Sequence, residues 1–531
     1  MKKLIYILTF VLTCVMNINA QQTSMENYVY LAKVEVNGSP ALIDLDGNYV
    51  VRPGRYENID MDYFSEGLCP VSKDGKYGFI DVYGKEVIPC QWDGVVKFER
   101  GLAIILKKNN KGYNRRGVIN HKGEIIVEPK YASIHFIEGA DLISTEGPVT
   151  LFNFQGEVLQ SDIFSVQLAC KDGMLLLSKN GNYGGYFFVD SSGKRKLKNF
   201  YDVREFSGGY AVAYIRDELK GNLPGYIDTE GNQYAVGKYE ILGDFKDGYA
   251  IVRKEGKSGV INDKFEEVIP CVYDGLGRIA PRYGESGYVK DMVQVSKGEE
   301  CTLMTKEGRT IVPYGLYNDF EGVGYIPVIE AKVNYEIEKI NSLGNPHKIN
   351  PSTLLDLKGN RLTNMDYDFI SKFYQGFACF EREKKRGILS FSGEEVITTD
   401  YGMDDFVSFK PLQEYFDYSI VRVYHKGKWG LLNKNGELIV PFIYDNMGDF
   451  NDGLSVVELD NKYGAIDTNG KIVVPVEFYV QDFLPEFNCG RLGIRKWTNS
   501  EIKAGYIDKE GNEVIPCVYD KVFPFKKISV K

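Results

Sequence analysis

Lys76-Tyr77-Gly78-Phe79-Ile80-Asp81-Val82-Tyr83-Gly84 is followed by Val87-Ile88-Pro89, then Trp92-Asp93, then Phe98-Glu99-Arg100-Gly101-Leu102-Ala103. The same phrase returns as Lys428-Trp429-Gly430-Leu431-Leu432-Asn433, Ile439-Val440-Pro441, Tyr444-Asp445 and Phe450-Asn451-Asp452-Gly453-Leu454. Aligned on the turn glycine, copies fall at Gly47, Gly84, Gly123, Gly156, Gly193 and Gly231, then at Phe265 in a degenerate copy. They continue at Gly308, Gly359, Gly393, Gly436, Gly470 and Gly511. The period is about 39 residues, and a repeat of that length decides the fold before any single motif does.

Each copy reads as three short strands, as in Gly101–Leu106, Gly117–Asn120 and Glu124–Val127. The second strand ends in Asp or Asn, with Gly three residues later. That is hairpin chemistry: the Asx side chain bonds forward to the backbone and Gly takes positive φ. Ile80, Ile119, Ile227, Ile261, Ile466 and Ile507 hold one position, while the residue before each varies. Period two puts the pair on opposite faces. The constant Ile is expected to face the core and the variable residue a groove or solvent. Phe79, Tyr226, Tyr506 and the Trp429 of the second phrase are therefore the candidate binding-surface residues. Gly78 and its equivalents share the Ile face and are expected to make room for an aromatic ring. Pro89, Pro129, Pro270, Pro313, Pro441, Pro475 and Pro516 are expected to end the third strand.

The fold expected is all-β: tandem three-stranded antiparallel β-meanders stacked as an open, solenoid-like array, with two β-propeller-like domains as the alternative. Residues 1–20 read as a signal peptide, from Lys2-Lys3, the apolar run Leu4–Met16 and the small residue Ala20. Lipidation at Cys14 is the weaker reading, because Thr13 precedes it. Residues 21–325 form a first sub-array, 326–352 an insertion or linker where the phrase breaks, and 353–531 a second sub-array. No later stretch is apolar enough for a membrane span.

Composition narrows the partners. The net charge is −9 and becomes two units more acidic without Lys2 and Lys3. This argues against nucleic acid or an anionic membrane as the main partner. Cys90, Cys271 and Cys517 follow the same Pro in three distant copies, so a shared packing niche is expected rather than a disulfide framework.

These phrases resemble the WG-repeat (KWG) family of bacterial proteins: aromatic-Gly-x-Ile-Asp-x-x-Gly, apolar-apolar-Pro, Tyr-Asp, Phe-x-x-Gly-Leu-Ala. Trp429-Gly430 is the namesake pair, and Tyr77-Gly78 and Tyr463-Gly464 substitute Tyr. The resemblance runs from about residue 28 to 531 and implies a β-repeat of largely uncharacterised function, with no catalytic residues to carry over.

Catalytic patterns are missing from the sequence. The four histidines, His121, His135, His347 and His425, show no metal-ligand spacing, and no H-E-x-x-H, C-x-x-C or G-x-S-x-G occurs. Gly256-Lys257-Ser258 lacks the earlier glycine of a phosphate loop. Asp44-Leu45-Asp46-Gly47 has calcium-like spacing that a turn also explains. No catalytic, cofactor or metal residue is expected. The leading reading is an exported, non-enzymatic binding or scaffold surface for a protein or glycan of the cell envelope. A hydrolase, which would need acidic side chains converging in one pocket, and a passive spacer are the alternatives.

Overall fold

The structure, a computed structural model, describes residues 27–530 apart from 148, 162, 180–184, 279–291, 299, 323–327, 334–336, 341–345, 372, 374–376, 384, 400–419, 426, 434–436, 481–484 and 499–500. The leader segment with Cys14 and Ala20, and Gly436, lie outside the described residues. Among those residues the fold is all-β: thirteen antiparallel sheets of three to five strands, one for each copy of the phrase, and one further two-stranded hairpin.

The second copy shows the plan. A two-residue strand a, Asn58–Ile59, pairs with strand b, Leu68–Lys73. Strand b pairs with c, Lys76–Asp81, and c with d, Glu86–Trp92. The meander thus has a short fourth strand at its head. The c–d turn forms as the sequence demands: Asp81 Oδ1 accepts from the N–H groups of Tyr83 and Lys85, both at 2.9 Å, and Gly84 sits at φ +75°. Asp44 Oδ1 makes the same two bonds to Asp46 and Asn48, which accounts for its calcium-like spacing as a turn. In the degenerate copy Phe265 itself adopts φ +62°. Its ring stacks on Tyr234 at 4.7 Å and meets Tyr210, Tyr226 and Phe245, contacts that offset the backbone strain.

Two expectations are corrected here. In six of the seven copies proline does not end the third strand, whereas Thr310–Val312 does stop directly before Pro313. Strand d runs through Pro89 to Trp92, and Tyr77 pairs with Trp92 while Phe79 pairs with Ile88, so three residues of d face Gly78 alone. Proline occupies this bulge, where its missing N–H costs nothing. The glycine makes room for backbone, not for a ring: a Cβ at Gly78 would lie 2.4 Å from the Ile88 carbonyl oxygen, and at Gly505 2.5 Å from that of Ile515. Gly430 alone of the series also meets an aromatic side chain, Phe442. Cys90, Cys271 and Cys517 share the bulge, as their common place after proline implies.

The constant isoleucines are buried, each at 1% exposure or less. The variable residues are buried as well, because the sheets that carry them are covered on both faces. Ile80 joins a cluster with Leu42 and Val51 of the preceding sheet, whereas Phe79 joins Ala103, Ile105 and Ile119 of the following one. Tyr226 likewise packs forward onto Ala250 and Ile261.

Residues 326–352 contain both part of a sheet and an added hairpin. Val328–Val333 is strand b of the ninth sheet, paired on one side with Tyr317–Gly322 and on the other with Ser352–Asp356. The insertion is the hairpin Ile337–Ile340 with Pro346–Ile349, placed between strands b and c of that sheet.

The chain ends meet. The first sheet is built from Asn27–Val36, Ser39–Ile43 and Tyr49–Val51 as b, c and d, and its strand a is Lys521–Val522 from the far end of the chain. Lys526–Val530 pairs with the first half of Asn27–Val36. Tyr506, Ile515 and Tyr519 of the thirteenth sheet share a cluster with Ala32, Val34, Ala41 and Ile43 of the first.

Candidate binding surface

The Tyr-Asp dipeptide after strand d explains how neighbouring sheets are held in register. Lys76 Nζ donates to Asp93 Oδ1 at 2.5 Å, and the other oxygen, Oδ2, accepts from the Lys108 N–H of the next b–c hairpin at 2.7 Å. Lys428–Asp445 repeats this with Asp460 N–H, and Lys257–Asp274 with Gly298 N–H. Glu57, Glu240 and Asp368 cap the next hairpin without the lysine, through Gly75, Glu255 and Glu383. In the last copy Lys503 donates to Asp520 at 2.7 Å, and Asp520 reaches Gly38 N–H at 3.3 Å, across the meeting of the two chain ends.

The lysine bonds, followed by the backbone N–H groups, hold the carboxyls of Asp93, Asp274 and Asp445 below the usual carboxylate range, and Lys503 does the same for Asp520. A depressed folded-state value contributes stability that is present above the unfolded value, about 3.9 for Asp, and lost as pH falls through the folded one. The melting temperature of Asp93→Asn with Asp520→Asn should therefore fall below that of the parent at pH 7, and the gap should close once the pH drops well under 4. A gap that persists unchanged at pH 2 would show that the ties act otherwise.

The four residues expected on the binding surface are distributed differently. Phe79 and Tyr226 are fully buried and Tyr506 is 1% exposed, which corrects their assignment to a surface. Each is half of a ring pair with the phenylalanine leading into the next strand b: Phe79–Phe98 and Tyr226–Phe245 at 4.9 Å, Tyr506–Phe525 at 5.0 Å. The buried hydroxyls are satisfied, Tyr226 donating to the Gly243 carbonyl and Tyr506 to that of Phe523, both at 2.7 Å. Trp429 is half-buried, 5.3 Å from the Tyr424 ring and 5.8 Å from the Arg422 guanidinium. The structure does not bring the four together.

Large side chains reach solvent on the b–c hairpins. Trp497 and Ile502 face each other across the thirteenth sheet's hairpin, 72% and 48% exposed. Leu219 caps the sixth at 96%, and Tyr113 the third at 62%. The signal for them was in the chain, as apolar residues flanking polar turns where strand alternation would have placed polar ones. Among the described residues no group of three His, Cys, Asp or Glu side chains is arranged to hold a metal. The eight described cysteines are free. Burial pushes the Cys69 thiol up to about 12 and those of Cys90, Cys379 and Cys517 to about 11, so they stay protonated at neutral pH.

Comparison with known proteins gives one family. The family described as WG containing repeat matches residues 42–77, 77–111, 117–142, 225–257, 259–284, 429–463, 463–496 and 505–527. No curated protein matches in sequence. Among solved structures, the tricorn protease is 12% identical over 93% of this chain, with a TM-score of 0.20, and the chain spans 57% of its length. A eukaryotic initiation factor is 9% identical over 78% of this chain and 95% of its own, at 0.21. The extracellular domain of a putative hybrid two component system from B. thetaiotaomicron is 9% identical over 85% and 76%, at 0.17. Likeness at these scores carries no argument about fold or function. No helix among the described residues is long and apolar enough to cross a membrane.

Proposed function

This chain belongs to the WG-repeat family, and from that premise we propose that it is a non-enzymatic binding scaffold whose sheets close into one propeller-like ring. The composite first sheet supports the ring: the C-terminal end supplies strand a exactly where the N-terminal end supplies b, c and d. An open array would leave those edges and the apolar faces of the first and thirteenth sheets in water. Small-angle scattering tests this, with a compact, disc-like particle expected and a rod overturning it.

The observation that carries the binding reading is the burial of both sheet faces. Recognition is left to the sheet ends, where Trp497, Ile502, Leu219 and Tyr113 stand in solvent on their hairpins. Contacts of that kind, each modest and repeated round a rigid frame, suit a protein or glycan partner outside the cytoplasm, a location the basic and apolar start of the chain supports. Capture of glycans on an array, or of envelope proteins, by the parent chain should fall at least tenfold for Trp497→Ala with Ile502→Ala. Stability should be unchanged, since both side chains are exposed. Retention of all partners by that variant would turn the reading away from this hairpin.

A further inference from the structure

Among the described residues, at two of the places that carry the inter-sheet cation the aspartate seventeen residues on is missing: Lys462 is followed by Tyr479 and Arg115 by Ala132, and only the second lies in a cluster of further cations. Arg115 occupies the place of Lys76, Lys257, Lys428 and Lys503, each of which is paired with the aspartate seventeen residues on. At that place after Arg115 the chain has Ala132. In its register Arg115 lies directly opposite Lys107, a like-charge cross-strand pair, which is unfavourable unless an anion sits nearby. Lys108 and Lys111 follow on the same hairpin, and Lys130 stands on the adjacent strand d. Among the described residues no carboxylate lies within ion-pair distance of Lys107, Lys108, Lys111, Arg115 or Lys130.

Lys107, Lys108, Lys111 and Lys130, the amides of Asn109 and Asn110, and one acid, Glu128, line an open groove of about 610 Å³; Arg115 is outside that lining, as the cross-strand neighbour of Lys107. Tyr113, at the hairpin tip, adds an exposed ring. The sequence carries the signal plainly in Lys107-Lys108-Asn109-Asn110-Lys111 and Arg115-Arg116, a basic block that the acidic total conceals.

We propose that the b–c hairpin of the third sheet binds an acidic glycan, with a carboxylate or sulfate of the ligand taking the place of the missing aspartate. The proposal rests on the scaffold reading above and names the ligand class for one of its hairpins. Cations supply the attraction, amides meet hydroxyls, and the exposed ring offers a flat face to a sugar. The surrounding protein, net −9, repels long polyanions such as duplex DNA and anionic membranes, so a local patch on one hairpin favours a short acidic oligosaccharide segment.

The test titrates the full chain with oligogalacturonate, with neutral dextran oligomers, duplex DNA and anionic phospholipid vesicles as controls. Binding of oligogalacturonate should weaken as salt rises, because exposed charges are screened. Lys107→Ala with Lys111→Ala and Lys130→Ala should weaken it at least tenfold. So should Ala132→Asp, which restores the internal carboxylate at an exposed position and should hold or raise the melting temperature. Trp497→Ala should leave this binding unchanged. The proposal is overturned by an absence of oligogalacturonate binding, by binding indifferent to both sets of variants, or by equal affinity for DNA or vesicles. If oligogalacturonate fails while Trp497→Ala still abolishes capture of another partner, the scaffold reading stands and only this site falls.

Discussion

Phe79→Ala is expected to destabilise the second and third sheets by about 3–5 kcal/mol, the cost of emptying a fully buried aromatic site. The ring lies between two sheets, so its loss leaves Phe98 without its edge-on partner at 4.9 Å and opens a void beside Ala103 and Ile119. Ring pairs of this geometry add about 0.5–1.5 kcal/mol beyond buried area. Because each unit packs only on its neighbours, the loss should stay local. Hydrogen exchange should show strands Leu68–Lys73, Lys76–Asp81 and Leu102–Lys108 losing protection, with the sheets around Tyr226 unaffected. A Phe79→Ala variant with parental exchange everywhere, but weakened partner binding, would return this residue to the surface role its sequence position implied.

Removal of residues 521–531 should have the largest effect on the chain. It strips Val522, Phe525 and Ile528 from the junction of the two ends, all 9% exposed or less. At about 1.5–3 kcal/mol for each buried side chain, the loss is on the order of 5–9 kcal/mol. That is comparable to the whole stability of an ordinary domain, roughly 5–15 kcal/mol. The first sheet also loses its strand a, and Leu31 and Met61 lose the cover of Ile528. Exchange protection should vanish in the first sheet and fall in the second and thirteenth, with a marked drop in melting temperature. Unchanged protection in Ala32–Val36 would show that the terminal pairing contributes little.

The sequence was a good guide to whatever repeats within one unit. The twelve described turn positions fall in twelve separate sheets, and the isoleucines are interior. Asp81 and Asp228 bond forward as their spacing requires. What could not be read was the relation between units. Alternation at Phe79 and Ile80 signals two faces, but it does not say that both are covered, and a variable apolar residue looks the same whether it meets solvent or a neighbour that varies with it. Gly78 shows the same limit, since a missing side chain reports close approach without naming what approaches. The tie from Asp520 to Gly38 spans nearly the whole chain, and only coordinates bring such residues together. Net charge misled in a related way, because a sum over the chain hides a cluster on one hairpin.

The bulged strand d lies at the free margin of its sheet, and its proline falls in the middle of that margin. An unblocked margin of this kind is a template on which a second polypeptide could crystallise strand by strand, toward fibrils in the worst case. Here the template is interrupted at its centre copy after copy, once by a residue with no N–H to offer and again by a kink that throws the flanking groups out of line. Six sheets carry such a rim, which disfavours edge-to-edge association and leaves a partner to be met there by side chains rather than recruited as another rung of the ladder.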